Sequence, residues 1–146
     1  MPSNQMVNAV MDVQELRGRS DNEKITINLG FVDLGNIDLL VRDGFYSNRT
    51  DFIRTAIRNQ LERHGEAARK SAARKQLDLG ISYYDRARLE AAIAAGEMLD
   101  IRVLGLAHFS PDVSPELART AIRSVTVLGA LHASAAVKAA LADRIA

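Results

Sequence analysis

The clearest pattern in the chain is a strict alternation of polar and apolar residues from Lys24 to Leu29. The polar positions form one face and the apolar positions the other: Lys24, Thr26 and Asn28 against Ile25, Ile27 and Leu29. This two-residue period predicts a β-strand with one buried face. Because the following segment predicts only helices, the simplest hydrogen-bond partner for this strand is the same strand of a second copy. An antiparallel ribbon of two such strands would fit the major groove of B-DNA.

Two amphipathic helices are predicted after this strand. The first extends from about Asp33 to Asp43 and ends at Gly44, whose permissive backbone suits a helix end. The second begins after Ser47, which is the predicted N-cap. Their apolar positions recur at helical spacing: Val32, Leu34, Ile37, Leu40 and Val41 in the first helix, and Phe52, Ile53, Ala56, Ile57 and Leu61 in the second.

The strand, the two helices and the cap, in this order, resemble the ribbon-helix-helix repressors of the Arc, MetJ and CopG type over roughly residues 23–64. The segments that carry the resemblance are Lys24–Leu29, Ile37–Val41, Tyr46–Arg54 and Ala56–Ile57. The resemblance implies an intertwined dimer whose ribbon side chains enter the major groove. By position, it implies that Lys24, Thr26 and Asn28 read base edges and that Ser47, Asn48 and Arg49 bind phosphates. Gly30 departs from the family, in which proline often follows the strand.

The polar strand face has two interpretations. Such a face is often only the solvated side of a sheet. Its residue types nevertheless suit base readout, because Lys donates to guanine, Asn pairs bidentately with adenine and Thr contacts several base edges. Ser47 could likewise be only a helix cap, although capping and phosphate binding are compatible, since the amides of a helix N-terminus themselves bind phosphate.

The composition is that of a globular protein of 146 residues, with 47% hydrophobic residues and no cysteine. The lack of cysteine excludes a disulfide framework and a thiolate metal site, and it fits a cytoplasmic, nucleoid-associated protein. No membrane-length apolar run or signal peptide is predicted. The net charge of +1 is low for a nucleic-acid binder. A basic run, Arg69-Lys70 and Arg74-Lys75, lies in a predicted helical connector over residues 65–78, as either a solvated helix face or a DNA-backbone contact.

Residues 79–146 contain an internal repeat. Val103–Ala118 aligns with Val127–Ala142 at an offset of 24 residues, and half of the 16 aligned positions are identical. Each unit predicts a short apolar strand that ends at a glycine, Gly105 or Gly129, followed by a turn and one or two helical turns. Repeats of this length are expected to stack on one another because none buries its apolar face alone.

The predicted fold class is therefore α+β. It combines the ribbon-helix-helix domain, residues 22–64, with a C-terminal unit that is either a small solenoid or a compact α/β unit with parallel strands. Val103 and Val127 should be neighbours on one buried ladder, and we expect a weaker copy of the repeat to begin at Leu79. Because so few repeats leave an open end, we expect this unit to pack on a second chain or a protein partner. Residues 1–21 are predicted to be a flexible arm.

No pattern indicates an enzyme, a cofactor or a metal site. The sequence has no cysteine, no glycine-rich phosphate loop and no nucleophile–histidine–acid set with mechanistic spacing. His108 and His132 occupy equivalent repeat positions, so a metal-binding pair is conceivable. Two half-buried histidines that bond to neighbouring backbone are the favoured interpretation.

The sequence thus predicts a dimeric, sequence-specific DNA-binding transcriptional regulator, most simply a repressor that occludes its operator. Its partners would be double-stranded DNA, itself as a homodimer or higher oligomer, and a possible protein partner at residues 79–146, with no membrane. Two alternatives remain open: an antitoxin that regulates its own operon, and a DNA-anchored structural or assembly protein. Antitoxin tails are commonly short and disordered, whereas residues 97–142 have the composition of a folded segment.

Overall fold

The computed structural model describes residues 22–146, so the arm predicted at residues 1–21 lies outside the described residues. The chain divides into two compact units between Phe45 and Tyr46. The first unit contains one described helix, and the second contains five helices, a short 3-10 helix and a three-stranded sheet within the described part of the chain.

In the first unit, residues 23–30 form neither helix nor strand, and all of them are exposed. The strand predicted over Lys24–Leu29 is therefore absent from the single chain. The physical reason is that a strand exists only where another backbone pairs with it, and no described strand of this chain pairs with this segment. Helix α1 follows at Phe31–Arg42 and begins two residues earlier than predicted.

The end of α1 has the geometry predicted for Gly44. Gly44 has a φ of +86°, the left-handed conformation that glycine adopts without a steric penalty. Its N–H donates to the Val41 carbonyl at 3.1 Å, and the Phe45 N–H donates to the Leu40 carbonyl at 3.0 Å. These two bonds satisfy carbonyls at the helix end that would otherwise lack a partner, as in a Schellman motif.

The second unit begins with two consecutive helices. Helix α2 spans Arg49–Arg63 and helix α3 spans Gly65–Arg74, so the segment predicted as a helical connector is helical over most of its length. Gln76, with a φ of 53°, ends α3 in the left-handed conformation.

A parallel sheet forms the rest of the second unit. Its elements alternate along the chain: β1 (Asp78–Tyr84), α4 (Arg86–Ala94), β2 (Leu99–Phe109), α5 (Pro115–Ala121), β3 (Ile122–His132), α6 (Ala135–Ala140) and a 3-10 helix (Ala142–Arg144). The strands are ordered β1-β2-β3, and both pairings are parallel. Parallel neighbours require crossover connections, which α4 and α5 provide.

The glycines of the repeat lie within the strands rather than at their ends, which corrects the prediction. Gly80, Gly105 and Gly129 are aligned across the three strands, and all have positive φ values, of 109°, 139° and 124°. A Cβ atom on Gly105 would overlap the Gly80 carbonyl oxygen, and one on Gly129 would overlap that of Gly105. Glycine thus permits a close backbone approach through which the ladder continues, so β2 extends to Phe109 and β3 to His132.

The hydrophobic core lies between one face of this sheet and the crossover helices. Leu89 of α4, Ala118 of α5 and Val137 of α6 are buried in one cluster with Val103 and Val125 of the strands. Val103 lies opposite Val127, as predicted, although Val127 is only partly buried.

The C-terminal end of the chain is held against the β3 edge of the sheet. Ile145 forms a parallel bridge to Val125, and the Arg119 guanidinium donates to the Asp143 carboxylate at 2.7 and 3.2 Å. The hydrogen bond from Arg119 lowers the pKa of Asp143 below its ordinary value.

The glycine column leads to a prediction about stability. Gly105→Ala should destabilise the sheet through backbone strain of about 1–3 kcal/mol and a further cost of about 1–3 kcal/mol from the clash with the Gly80 carbonyl. Gly80→Ala is the matched control, because φ is also positive there but nothing lies within 4 Å of the added Cβ. Urea unfolding of the two variants should show the larger loss for Gly105→Ala. Equal losses would mean that the close approach has no energetic consequence.

Candidate nucleic-acid interface

The predicted base readers lie in the first unit. Lys24, Thr26 and Asn28 are all exposed and belong to the segment of residues 23–30 that has no regular structure in the single chain. The single chain therefore does not align these three side chains on a strand face. Their shared face depends on strand pairing, which alternates successive side chains between the two faces of a sheet.

The predicted phosphate-binding residues lie in the second unit, at the start of α2. The N-cap is Asn48 rather than Ser47, which corrects the prediction by one residue. The Asn48 side-chain oxygen accepts the Asp51 N–H at 2.8 Å, and the Asp51 carboxylate accepts the Ser47 N–H at 3.0 Å. Asn and Ser are comparably good caps, so the residue types alone do not distinguish between the adjacent positions.

This reciprocal pair fixes the backbone at the helix start. The Tyr46 ring adds to it by packing edge-on against the Phe52 ring, with ring centroids 5.0 Å apart. Ser47, Asn48 and Arg49 therefore sit on a rigid turn, and all three are exposed.

The electrostatics of this turn are mixed. The helix N-terminus carries a partial positive charge, and Arg49 adds a full one at the first helical position. Asp51 adds a negative charge within the same turn, where it already accepts one of the amides. The basic run lies on the exposed surface of α3 and at its C-cap, Lys75, and within it Lys70 pairs with Glu66 at 3.1 Å. An exposed i,i+4 pair of this kind fits the interpretation of a solvated helix face for Lys70.

The most informative feature is that many of the apolar positions expected in the core are exposed in the single chain. Ile25 is 72% exposed, Ile27 53% and Leu61 of α2 66%. Helix α2 has no buried residue, and Ile37 is the one buried residue of α1. These elements keep the amphipathic pattern of a core without forming one in the single chain.

The two histidines of the repeat lie near each other in the sheet unit. The His108 and His132 rings approach with centroids 6.1 Å apart, and His108 is buried. Within residues 22–146, no cluster of three or more potential ligand side chains could hold a metal ion. In the same part of the chain, no helix has both the length and the apolar character needed to cross a bilayer.

Comparison with known proteins gave one match. The model of the family described as "Ribbon-Helix-Helix transcriptional regulator family" matches residues 20–138, which is most of the chain. The match extends far beyond residue 64, where the resemblance in the sequence ends, and includes all three strands. No curated protein and no solved structure matched the chain.

The cap geometry leads to a second prediction. Asn48→Ala should lower the free energy of unfolding by about 1 kcal/mol, because the Asp51 N–H loses its acceptor. Ser47→Ala should change it much less, because Ser47 participates in the cap through its backbone N–H, which alanine retains. Thermal unfolding of both variants measures the difference. A larger loss of unfolding free energy for Ser47→Ala would show that Ser47 is the N-cap, as the sequence predicted.

Proposed function

Because the chain belongs to the ribbon-helix-helix transcriptional regulator family, we propose that it is a DNA-binding regulator that reads a specific sequence as a homodimer. The family match supports DNA binding and transcriptional regulation. The dimer, the reading residues and the action as a repressor are our proposals.

The observation that carries the dimer is the exposed apolar surface of residues 25–61. Fully burying an isoleucine or leucine side chain contributes about 1.5–3 kcal/mol. Ile25, Ile27 and Leu61 are more than half exposed in the single chain, so most of that contribution remains unused. A second copy would bury these side chains and would also provide the missing backbone partner for residues 24–29.

In this dimer, the two copies of residues 24–29 would pair as an antiparallel ribbon. Pairing would orient the apolar side chains towards the helices and leave Lys24, Thr26 and Asn28 on the opposite face. A ribbon of this width enters the major groove, where these residue types can discriminate between base pairs. The lack of regular secondary structure in residues 23–30 of the single chain is then the expected consequence of a strand without its partner.

The start of α2 would contact the phosphates. Asn48 already caps the helix through its side chain, so the Ser47 hydroxyl is not required for capping and suits a phosphate oxygen. The Arg49 side chain adds the charge that makes such contacts depend on salt concentration. These contacts would fix the register of the protein on DNA without reading its sequence.

The simplest regulatory action is repression by occlusion of the operator, in the cytoplasm at the nucleoid. The antitoxin alternative is less well supported, since residues 78–146 form a sheet with a buried core rather than a short polar tail. The alternative of a DNA-anchored assembly protein would require the sheet unit to polymerise or to bind another protein.

A charge in the ribbon tests the proposed dimer. Ile27→Asp should abolish the dimer, because the paired strands would bury an uncompensated carboxylate. Ile93→Asp is the matched control, since Ile93 is a partly exposed isoleucine of α4, at 38%, outside the proposed interface. Sedimentation of both full-length variants should give a monomer for the first and a dimer for the second. A well-folded Ile27→Asp dimer would contradict the intertwined ribbon.

The proposed division between base-reading and phosphate-binding residues leads to a fourth prediction. Asn28→Ala should cost about 1–3 kcal/mol on the preferred site and relax base preference at one position. Arg49→Ala should weaken all sequences about equally and reduce the salt slope by about one unit. Selection from random DNA, followed by salt titration, measures both effects. An unchanged selected motif for Asn28→Ala would show that another surface reads the bases.

A further inference from the structure

The parallel sheet has a second face, which we call the outer face. Along each strand, side chains alternate between the two faces, and the core cluster takes Val103, Ala107 and Phe109 of β2. The intervening positions therefore lie on the outer face. The strand register places them in rows across the sheet, and the first two rows are Leu79–Leu104–Leu128 and Ile81–Leu106–Ala130.

These two rows are apolar and at least partly accessible: three of their residues are exposed, and Leu104, Leu106 and Ala130 are half-buried. Leu79 is 68% exposed, Ile81 49% and Leu128 50%. Neither row contains a charged residue. A contiguous apolar area on a sheet face normally marks an interaction surface, because single exposed apolar residues are common but clusters are not.

Polar groups bound the patch at both ends of the strands. At the amino ends, Asp100 accepts a hydrogen bond from Ser124 at 2.7 Å, and Arg102 donates to the Lys75 carbonyl at 3.0 Å. At the carboxyl ends, the third row is aromatic: the Tyr83 and His108 rings are 5.7 Å apart, and the His132 ring continues the row. An apolar centre within a more polar rim is the usual anatomy of a protein interface.

The size of the patch restricts what can cover it. Three strands spaced about 4.8 Å apart and about five residues per strand define an area of roughly 14 by 16 Å. This is well below the about 800 Å² per partner that a stable free-standing complex buries. The occupant must therefore already be held nearby by other contacts, because such tethering raises its effective concentration.

A second copy of this chain meets that condition if the proposed ribbon dimer forms. The absence of charge in the two central rows also favours it, because two identical uncharged faces do not repel each other, whereas an unrelated partner is usually selected by complementary charges. We propose that the outer face packs against the outer face of the second copy within the same regulator dimer. This inference rests on the proposed function.

Twofold symmetry makes the arrangement specific. In an isologous interface the same patch serves both copies, so the centre of the patch meets its own counterpart. Leu106 is the middle residue of the middle row, and it would face Leu106 of the second copy. The two sheets would stack about 10 Å apart, as in a β-sandwich.

Cysteine protection tests this proposal, because the natural chain has no cysteine to interfere. Ile81→Cys reports on the outer face, and Glu90→Cys, on the exposed surface of α4, is the control. In the purified full-length dimer, the thiol at position 81 should react slowly with a maleimide, since a covered site reacts only through local opening. When Ile27→Asp is added and the dimer is lost, the same thiol should react about tenfold faster or more. The thiol at position 90 should react at the same rate in both backgrounds.

A second variant distinguishes face pairing from other causes of protection. Adding Leu128→Lys to Ile81→Cys should restore fast labelling while the mass remains that of a dimer, because the lysine places like charges at the paired faces. Fast labelling at position 81 in an intact dimer would overturn the inference and leave the proposed function standing. Slow labelling in an Ile27→Asp monomer would also overturn it, because the cover would then come from within the chain. A folded Ile27→Asp dimer with position 81 still protected would instead refute the proposed ribbon and support face pairing in a dimer that other contacts hold together.

Discussion

The requirement that every strand backbone be paired determines how this protein is built. The sheet unit meets it within one chain, since β1, β2 and β3 follow one another through short helices and pair in parallel. Residues 24–29 have the alternation of a strand but no described partner in the chain, and there the backbone has no regular structure. The same chemical constraint therefore accounts for the order of the sheet and for the lack of regular structure in residues 24–29, for which we propose a partner strand from a second chain.

The sequence predicted those parts of the fold that depend on local interactions. Helix α1 and its end at Gly44 follow from periodicity and from the conformational freedom of glycine. The predicted N-cap of α2 was wrong by one residue, because Ser47 and Asn48 are comparably good caps. The bonds that Asp51 forms with Asn48 and Ser47 identify Asn48 as the cap. The strand ends were wrong for a non-local reason, since the role of Gly105 depends on the carbonyl of Gly80 on another strand.

The candidate site shows the same division. The residue types at positions 24, 26 and 28 could be recognised from the sequence, because alternation is a local property. Their common orientation could not be obtained from one chain, because it requires a strand partner. Both units leave apolar side chains exposed, among them Ile27 in the first and Leu79 in the second. In the proposed dimer with paired sheet faces, one partner chain would bury both of these apolar surfaces.

The aligned glycines also affect which strand registers are available during folding. A one-residue slip between neighbouring strands is already excluded, because it would turn the core side chains outwards. A slip of two residues keeps every side chain on its face and is the error that alternation alone does not prevent. Such a slip would place Val103 or Ala107 where Gly105 now meets the carbonyl of Gly80. The observed alignment places a glycine at each close approach, so the glycine column favours this register over a slip of two residues.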